Sequence, residues 1–216
     1  MTGMAFETIS SARGGLGRAE AHFLCHPELV SGSLDAHLAA APWRHTVDLK
    51  QWIRDVQDYP RPGILFRDLT PLLLHPPAMR HAVDRLAAHI EERDIDVVCC
   101  IDARGFLFGA PVAVELGLPL VPVRKAGKLP PETVGVDYSL EYGTARIEAR
   151  GNALTAGQRV AMVDDLLATG GTAVAAGQIV SLLGAHVDTY AFVVELTALK
   201  GRAALVPADV FALVQY

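Results

Sequence analysis

Positive charge is scarce in this sequence. Of its 216 residues only four are lysines, and 24 acids against 19 lysines and arginines leave a formal net charge of −5. That balance gives no global electrostatic case for nucleic acid or an anionic membrane as a partner. Cysteine is equally sparse. Cys25, Cys99 and Cys100 make an odd count without CxxC spacing, which argues against a disulfide framework and predicts buried, reduced thiols in a cytoplasmic protein. Long apolar runs are missing too. The longest mostly apolar stretch, residues 173–185, contains Gln178, Ser181 and several glycines, and is too short and polar to span a membrane. The N-terminus lacks the apolar core of a signal peptide. The eight histidines form no cluster with metal-ligand spacing. What the chain does have is apolar content, 51% of its residues, ample for one sizeable core. At about 150 residues per domain, its length predicts one domain plus an appendage.

The appendage is expected at residues 1–43. It opens with the small, glycine-rich run Ser10 to Gly17 and shows no sustained helical or strand period. Gly14-Gly15-Leu16-Gly17 lacks both a preceding strand and the GxGxxG spacing of a phosphate loop, and His22, Cys25 and His26 lack a fourth metal ligand. The segment reads as a leader, disordered or outside the native protein, with a true start downstream near Val47 or Leu49. Residues 44–216 read as the folded domain. Val47, Leu49, Trp52, Ile53 and Val56 fit a short amphipathic helix, and residues 78–92 fit a second. The unbroken apolar run Asp96 to Ile101 predicts a buried parallel strand. After it come a helix over Gly105 to Leu116, a strand over Pro119 to Val123 and a hairpin over 138–149 with its turn near Gly143. A strand over Gln158 to Val163, a helix over Gly171 to Leu183 and a strand over Val187 to Val194 complete the pattern. Strands alternating with helices predict a parallel α/β sheet.

The chemistry concentrates between Val160 and Ala173. An apolar strand runs into two acids, Asp164 and Asp165, then a loop of small residues, then a helix. In an open parallel sheet ligands bind at the carboxyl ends of strands, where this loop must lie. Gly170 and Gly171 allow close backbone approach, Thr169 and Thr172 add hydroxyl donors, and the helix N-terminus presents free N–H groups. The set suits a phosphate dianion, with the two carboxylates placed to accept hydrogen bonds from vicinal sugar hydroxyls. A plain helix-capping turn is the simpler reading, but capping alone does not call for two acids and two glycines together. A Walker A loop is excluded because the chain's only Gly-Lys, Gly127-Lys128, is followed by Leu129.

Val163 to Thr172 resembles the phosphoribosyl-pyrophosphate motif of the type I phosphoribosyltransferases. Four other stretches narrow the resemblance to the branch that takes adenine: Tyr59 to Asp68, Asp102 to Gly109, Val123 to Pro130 and Ser139 to Thr144. They stand in the family's order and spacing over residues 44–216. The resemblance implies an α/β fold with a central, mostly parallel twisted sheet flanked by helices, a small hood and a mobile catalytic loop within Lys128 to Glu141. It implies transfer of a phosphoribosyl group to adenine with Mg²⁺ carried mainly by substrate and water, in a homodimer. Ala168, Thr169, Gly170, Gly171 and Thr172 would hold the 5′-phosphate, and Asp164 and Asp165 the ribose hydroxyls. Asp102 and Ala103, joined by a cis peptide, would face the pyrophosphate with Lys125 and Lys128. Arg104 would act in the same place, and Glu141 with Tyr142 would supply the catalytic acid and its neighbour. Leu65, Arg67 and Leu166 would flank adenine. A non-catalytic phosphoribosyl-pyrophosphate-binding regulator and a transferase for another purine remain the alternatives.

Overall fold

The computed structural model describes residues 47–140 and 143–216. The expected leader, 1–43, and the pair Glu141 and Tyr142 lie outside the described residues. The first ordered turn is a 3₁₀ helix, Leu49–Trp52, capped by the Asp48 carboxylate, which accepts from Lys50 N. It does not continue as the expected amphipathic helix. Ile53 is already extended, and β1 (Arg54–Val56) pairs antiparallel with β2 (Phe66–Asp68). The apolar positions from Val47 to Val56 fit either structure. The cross-strand pair of Arg54 with Asp68, 2.5 Å, and that of Arg67 with Asp55 favour the ribbon. This ribbon is the small hood.

A short helix α1 (Thr70–Leu73) leads to α2 (Pro76–Glu91), where the His75 ring nitrogen accepts from Ala78 N as the cap. β3 (Val97–Ile101), buried along its whole length, is followed by α3 (Gly105–Leu116) and β4 (Leu120–Lys125). β5 (Thr133–Leu140) and β6 (Gly143–Arg150) form the hairpin, so most of the stretch expected to be a loop is a strand. β7 (Arg159–Leu167), α4 (Gly171–Leu182), β8 (His186–Glu195) and β9 (Asp209–Gln215) complete the chain, with 3₁₀ turns at Thr197–Leu199 and Gly201–Leu205.

The main sheet has the order β5-β6-β4-β3-β7-β8-β9, parallel from β4 to β9 with the antiparallel hairpin at one edge. Two cores cover its faces. On one, Leu72, Leu86, Ile90 and Phe108 pack against Val98, Val163 and Val193; on the other, Ile179 and Val180 pack against Ile101, Met162 and Phe192. Each fully buried leucine or isoleucine contributes roughly 1.5–3 kcal/mol.

His89, on α2, stacks on Phe211 at 4.0 Å, and its Nε2 lies 3.0 Å from Thr189 Oγ1 and 3.2 Å from Asp209. Burial, then the Arg93 guanidinium, holds its pKa below the ordinary 6.5, although Asp209 and Glu92 pull the other way. His81 is lowered as well, chiefly by burial. A depressed histidine contributes stability above the unfolded value; as pH falls below 6.5 the unfolded chain takes the proton first and stability drops. The thermal midpoint is therefore expected to fall on mild acidification, and His89→Gln to flatten that fall. Calorimetric scans across this range check it, and an identical slope in the variant would exclude His89 as a source.

Candidate active site

The sheet reverses direction of growth between β3 and β7: from β3 the chain moves outward to β4, then returns to add β7 on the other side. At such a switch point the loops leaving two neighbouring strands diverge and leave a crevice. The turn Asp102 to Arg104 leaves β3 there. β7 runs on past Val163, where the strand was expected to end, so that Asp164 and Asp165 lie within the last part of the strand itself. Ala168 to Gly170 connect it to α4. The Asp102-Ala103 peptide is cis. α3 starts tight against the acids, since a Cβ on Gly105 would stand 2.8 Å from Asp164 Oδ1 and 3.0 Å from the Val163 carbonyl oxygen.

Asp165 is 4% exposed. The Arg104 Nε lies 2.8 Å from its Oδ2, yet off the direction a hydrogen bond needs, so that buried oxygen has a counter-charge but no hydrogen-bond donor. Asp164 Oδ1 accepts from Asp165 N at 2.8 Å. Burial raises both carboxyls above the ordinary range; the charge of Asp165 raises Asp164 further, whereas Arg104 pulls Asp165 back down. The pair as a whole therefore holds a proton more readily than an isolated carboxyl, and the Arg104 charge opposes that rise. The loop beyond them encloses a small cavity of about 90 Å³ lined by Asp164, Leu166, residues 167–173 and Phe192. Gly170 precedes α4, and no side chain caps that helix. Thr169 is exposed and Thr172 half-buried, both on the cavity wall. An uncapped helix N-terminus beside hydroxyls is a ready anion cradle.

At the end of β4, Arg124 Nε lies 3.2 Å from Asp102 Oδ2, and Arg124 Nη1 donates to the Lys128 carbonyl oxygen at 3.2 Å. The basic turn is thus fastened to the β3 turn, and the exposed Lys125 and Lys128 make no ion pair among the described residues. Glu148 of β6 holds the turn from behind, accepting from Gly127 N at 2.9 Å. Arg124, in sequence one of a basic group with Lys125 and Lys128, is the member whose side chain fastens the turn.

The third segment is the hood. A cavity of about 360 Å³ is lined by Val56, Tyr59, Phe66, Asp68, Leu69, Thr70, Leu73 and Arg104. The Arg104 guanidinium stands 5.7 Å from the Phe66 ring centroid, and Tyr59 meets Phe66 edge-on at 5.2 Å. Alternation along β2 puts Phe66 and Asp68 on the cavity side and turns Arg67 away, where it pairs with Asp55 and lies 3.6 Å from the Tyr216 ring centroid. The side chains of Leu65 and Arg67 are therefore not among the cavity walls; Phe66 is, and period-two alternation was the signal for it. Leu166 lines the loop cavity instead.

Comparison with known proteins agrees with this geometry. The family described as "Phosphoribosyl transferase domain" matches residues 72–202. Adenine phosphoribosyltransferase of Roseiflexus castenholzii is 50% identical over 171 residues, covering 79% of this chain and 99% of its own length. That of Methanococcus maripaludis strain C7 is 49% identical over 170 residues, with the same coverage. Among solved structures, adenine phosphoribosyltransferase of Thermoanaerobacter pseudethanolicus superposes with a TM-score of 0.75 at 47% identity, covering 78% of this chain and 98% of that one. The Saccharomyces cerevisiae enzyme, crystallised with an imino-altritol bisphosphate and adenine, superposes with a TM-score of 0.73 at 44% identity, covering 76% and 96%.

Proposed function

The chain belongs to the adenine phosphoribosyltransferases, and from that premise we propose how its residues divide the work. The reaction is transfer of the 5-phosphoribosyl group of phosphoribosyl pyrophosphate to adenine, giving AMP and pyrophosphate in purine salvage. One observation carries the assignment of roles: the donorless Oδ2 of buried Asp165, beside Arg104, on the strand that leads into the loop before uncapped α4. A buried carboxylate oxygen with no donor carries a desolvation cost unless a ligand hydroxyl fills the gap. The ribose hydroxyls do so, with Asp164 alongside. Ala168 to Thr172 take the 5′-phosphate, and Asp102, Ala103, Lys125 and Lys128 face the pyrophosphate.

Mg²⁺ suits this donor set, two adjacent carboxyl groups whose oxygens are hard ligands. The ion would travel on the substrate's diphosphate and ribose oxygens, meeting the carboxylates through its waters. When bound, it neutralises charge on the departing pyrophosphate. Adenine lies against Phe66 in the hood, with the backbone of Leu65 and Arg67 reading its edge and Leu166 on the opposite side. A backbone acceptor facing the exocyclic amine disfavours a 6-oxopurine, which leaves that acceptor unpaired. Glu141, with Tyr142 beside it, manages the purine's ring proton. Its carboxylate takes the proton from N7 as N9 bonds to the anomeric carbon and pyrophosphate leaves, and the carboxyl returns it in the reverse reaction.

A homodimer in the cytoplasm completes the reading. Val114 and Leu107 on α3 are 82% and 44% exposed, an apolar surface beside Arg104 that a second copy would cover. Free, buried Cys99 and Cys100 accord with a reducing compartment. The direct test is AMP formation from adenine, phosphoribosyl pyrophosphate and Mg²⁺, with guanine, hypoxanthine and xanthine in parallel. Adenine is expected to turn over at least about 10²-fold faster than the oxopurines, the scale of a lost buried hydrogen bond plus an unpaired acceptor. Turnover of an oxopurine without adenine would overturn the assignment of the base pocket.

A further inference from the structure

The phosphate loop rests on a floor that no ligand-binding motif includes. Behind it runs the turn Gly201–Leu205, with Gly201 buried. A Cβ on Gly201 would stand 2.2 Å from the Ala168 carbonyl oxygen and 3.0 Å from Leu167 Cδ1. Reciprocally, a Cβ on Gly170 would stand 2.9 Å from the Gly201 carbonyl oxygen. The two backbones meet with no side chain between them. Gly170, at φ 86°, is also the residue from which α4 departs, so the height of Gly201 sets where the helix N–H groups begin.

Gly201 is held in turn by its neighbour. Arg202 Nε and Nη2 donate to Glu195 Oε1 and Oε2 at 3.0 and 2.5 Å, and Nη1 donates to the Val210 carbonyl oxygen. Glu195 is 3% exposed, ends β8 beside Leu167 of β7, and accepts a further bond of 3.0 Å from Gln215. The following residue, Leu196, donates its N–H to the Leu167 carbonyl oxygen at 2.9 Å. A two-pronged guanidinium–carboxylate pair of this kind fixes direction as well as distance. It ties the turn to the ends of β8 and β9, and through them to β7 one residue before the loop.

We propose that Arg202, braced on Glu195, is a positioning residue for the phosphate end of the substrate, setting the Gly201 turn under Ala168 to Gly170 so that the loop's N–H groups converge on the phosphate. This rests on the assignment of residues 168–172 to the 5′-phosphate. Misplacement of a binding loop by a fraction of an ångström to an ångström carries large kinetic penalties, up to about 10²-fold. Arg202→Met is accordingly expected to raise KM for phosphoribosyl pyrophosphate about 10-fold while moving KM for adenine less than about twofold. Arg202→Lys should recover part of the loss, and Gly201→Ala should reproduce it or exceed it.

Steady-state kinetics with each substrate varied, on protein whose circular dichroism matches wild type, decides the matter. Equal changes in the two KM values, or none, in Arg202→Met overturn the positioning role. Should that variant fail to fold, Glu195→Gln removes the charge at nearly the same shape and gives the same reading. Thr172→Val separates the underlying assignment. If it leaves KM for phosphoribosyl pyrophosphate unchanged, the phosphate loop itself is misassigned. If it raises that KM while Arg202→Met does not, only the positioning role falls.

Discussion

Glu141→Ala is expected to bind phosphoribosyl pyrophosphate as wild type does and to make AMP about 10²–10⁴-fold more slowly, the range of a lost general acid or base. Displacement at the anomeric carbon builds positive charge on the sugar and changes the proton affinity of the purine nitrogens. Adenine carries a ring N–H that AMP lacks. A carboxyl group that takes the N7 proton as N9 bonds to carbon, and gives it back in reverse, acts only as the transition state develops. Its loss therefore appears in kcat and not in sugar-phosphate affinity. Leu140 and Gly143, which flank Glu141 and Tyr142, pair across the hairpin of β5 and β6. On the proposed assignment Asp164 and Asp165 hold the ribose hydroxyls, which leaves the task to Glu141. Glu141→Gln keeps the shape and removes the ionisable proton, and should fall almost as far as alanine. Initial rates combined with calorimetric titration of phosphoribosyl pyrophosphate measure both quantities. Wild-type kcat in either variant would remove Glu141 from the mechanism.

The second large effect is expected at Arg104. Arg104→Met should lower kcat/KM about 10²–10³-fold, the loss seen when one donor aimed at developing charge is removed. Three features converge on this side chain: 2.8 Å to Asp165, 5.7 Å to the Phe66 ring centroid, and a place in the wall of the hood cavity. The fold should tolerate the change. The side chain is 45% exposed, so water screens much of its interaction with Asp165 and the loss in stability stays small. With the guanidinium gone, Asp165 loses the charge that opposes its burial and protonates at higher pH. The acid limb of the rate profile should move upward with it. Activity within about threefold of wild type would remove Arg104 from the catalytic machinery.

Much of this architecture was legible in the residues. The apolar run ending at Ile101 was a buried parallel strand because only β-branched and small residues fill it, and α3 follows Gly105 to Leu116 as read. The acids and small residues after Val163 were legible for the same reason: nothing in helix or strand formation requires them. The first ordered segment was misread because Leu49, Trp52, Ile53 and Val56 are apolar at spacings a helix and a turn-plus-strand share. The decision fell to Asp48, which caps one turn, and to ion pairs with residues 67 and 68, which lie beyond any local window. β9 was missed because its half-buried alternation is weak beside that of its neighbours. The resemblance points to Leu65 and Arg67, whereas the inward side chain of Phe66 becomes visible only once β2 pairs with β1 and alternation sets its faces. The floor under the phosphate loop left no trace, since Gly201 looks like any turn glycine until Ala168 is brought against it.

The switch point between β3 and β7 also bears on how the protein acquires its activity. Residues 97–100 lie directly alongside 160–163, with the whole of α3, β4 and the β5–β6 hairpin strung between them. Parallel pairing at such separation requires a long loop to close before any contact rewards it, and pairings of this kind form late and slowly. The crevice between the β3 and β7 ends does not exist until that zipper has run. Helices such as α2 need only local partners to begin and can regain their signal earlier. In refolding, catalytic competence is thus a milestone for long-range assembly, and secondary structure is none.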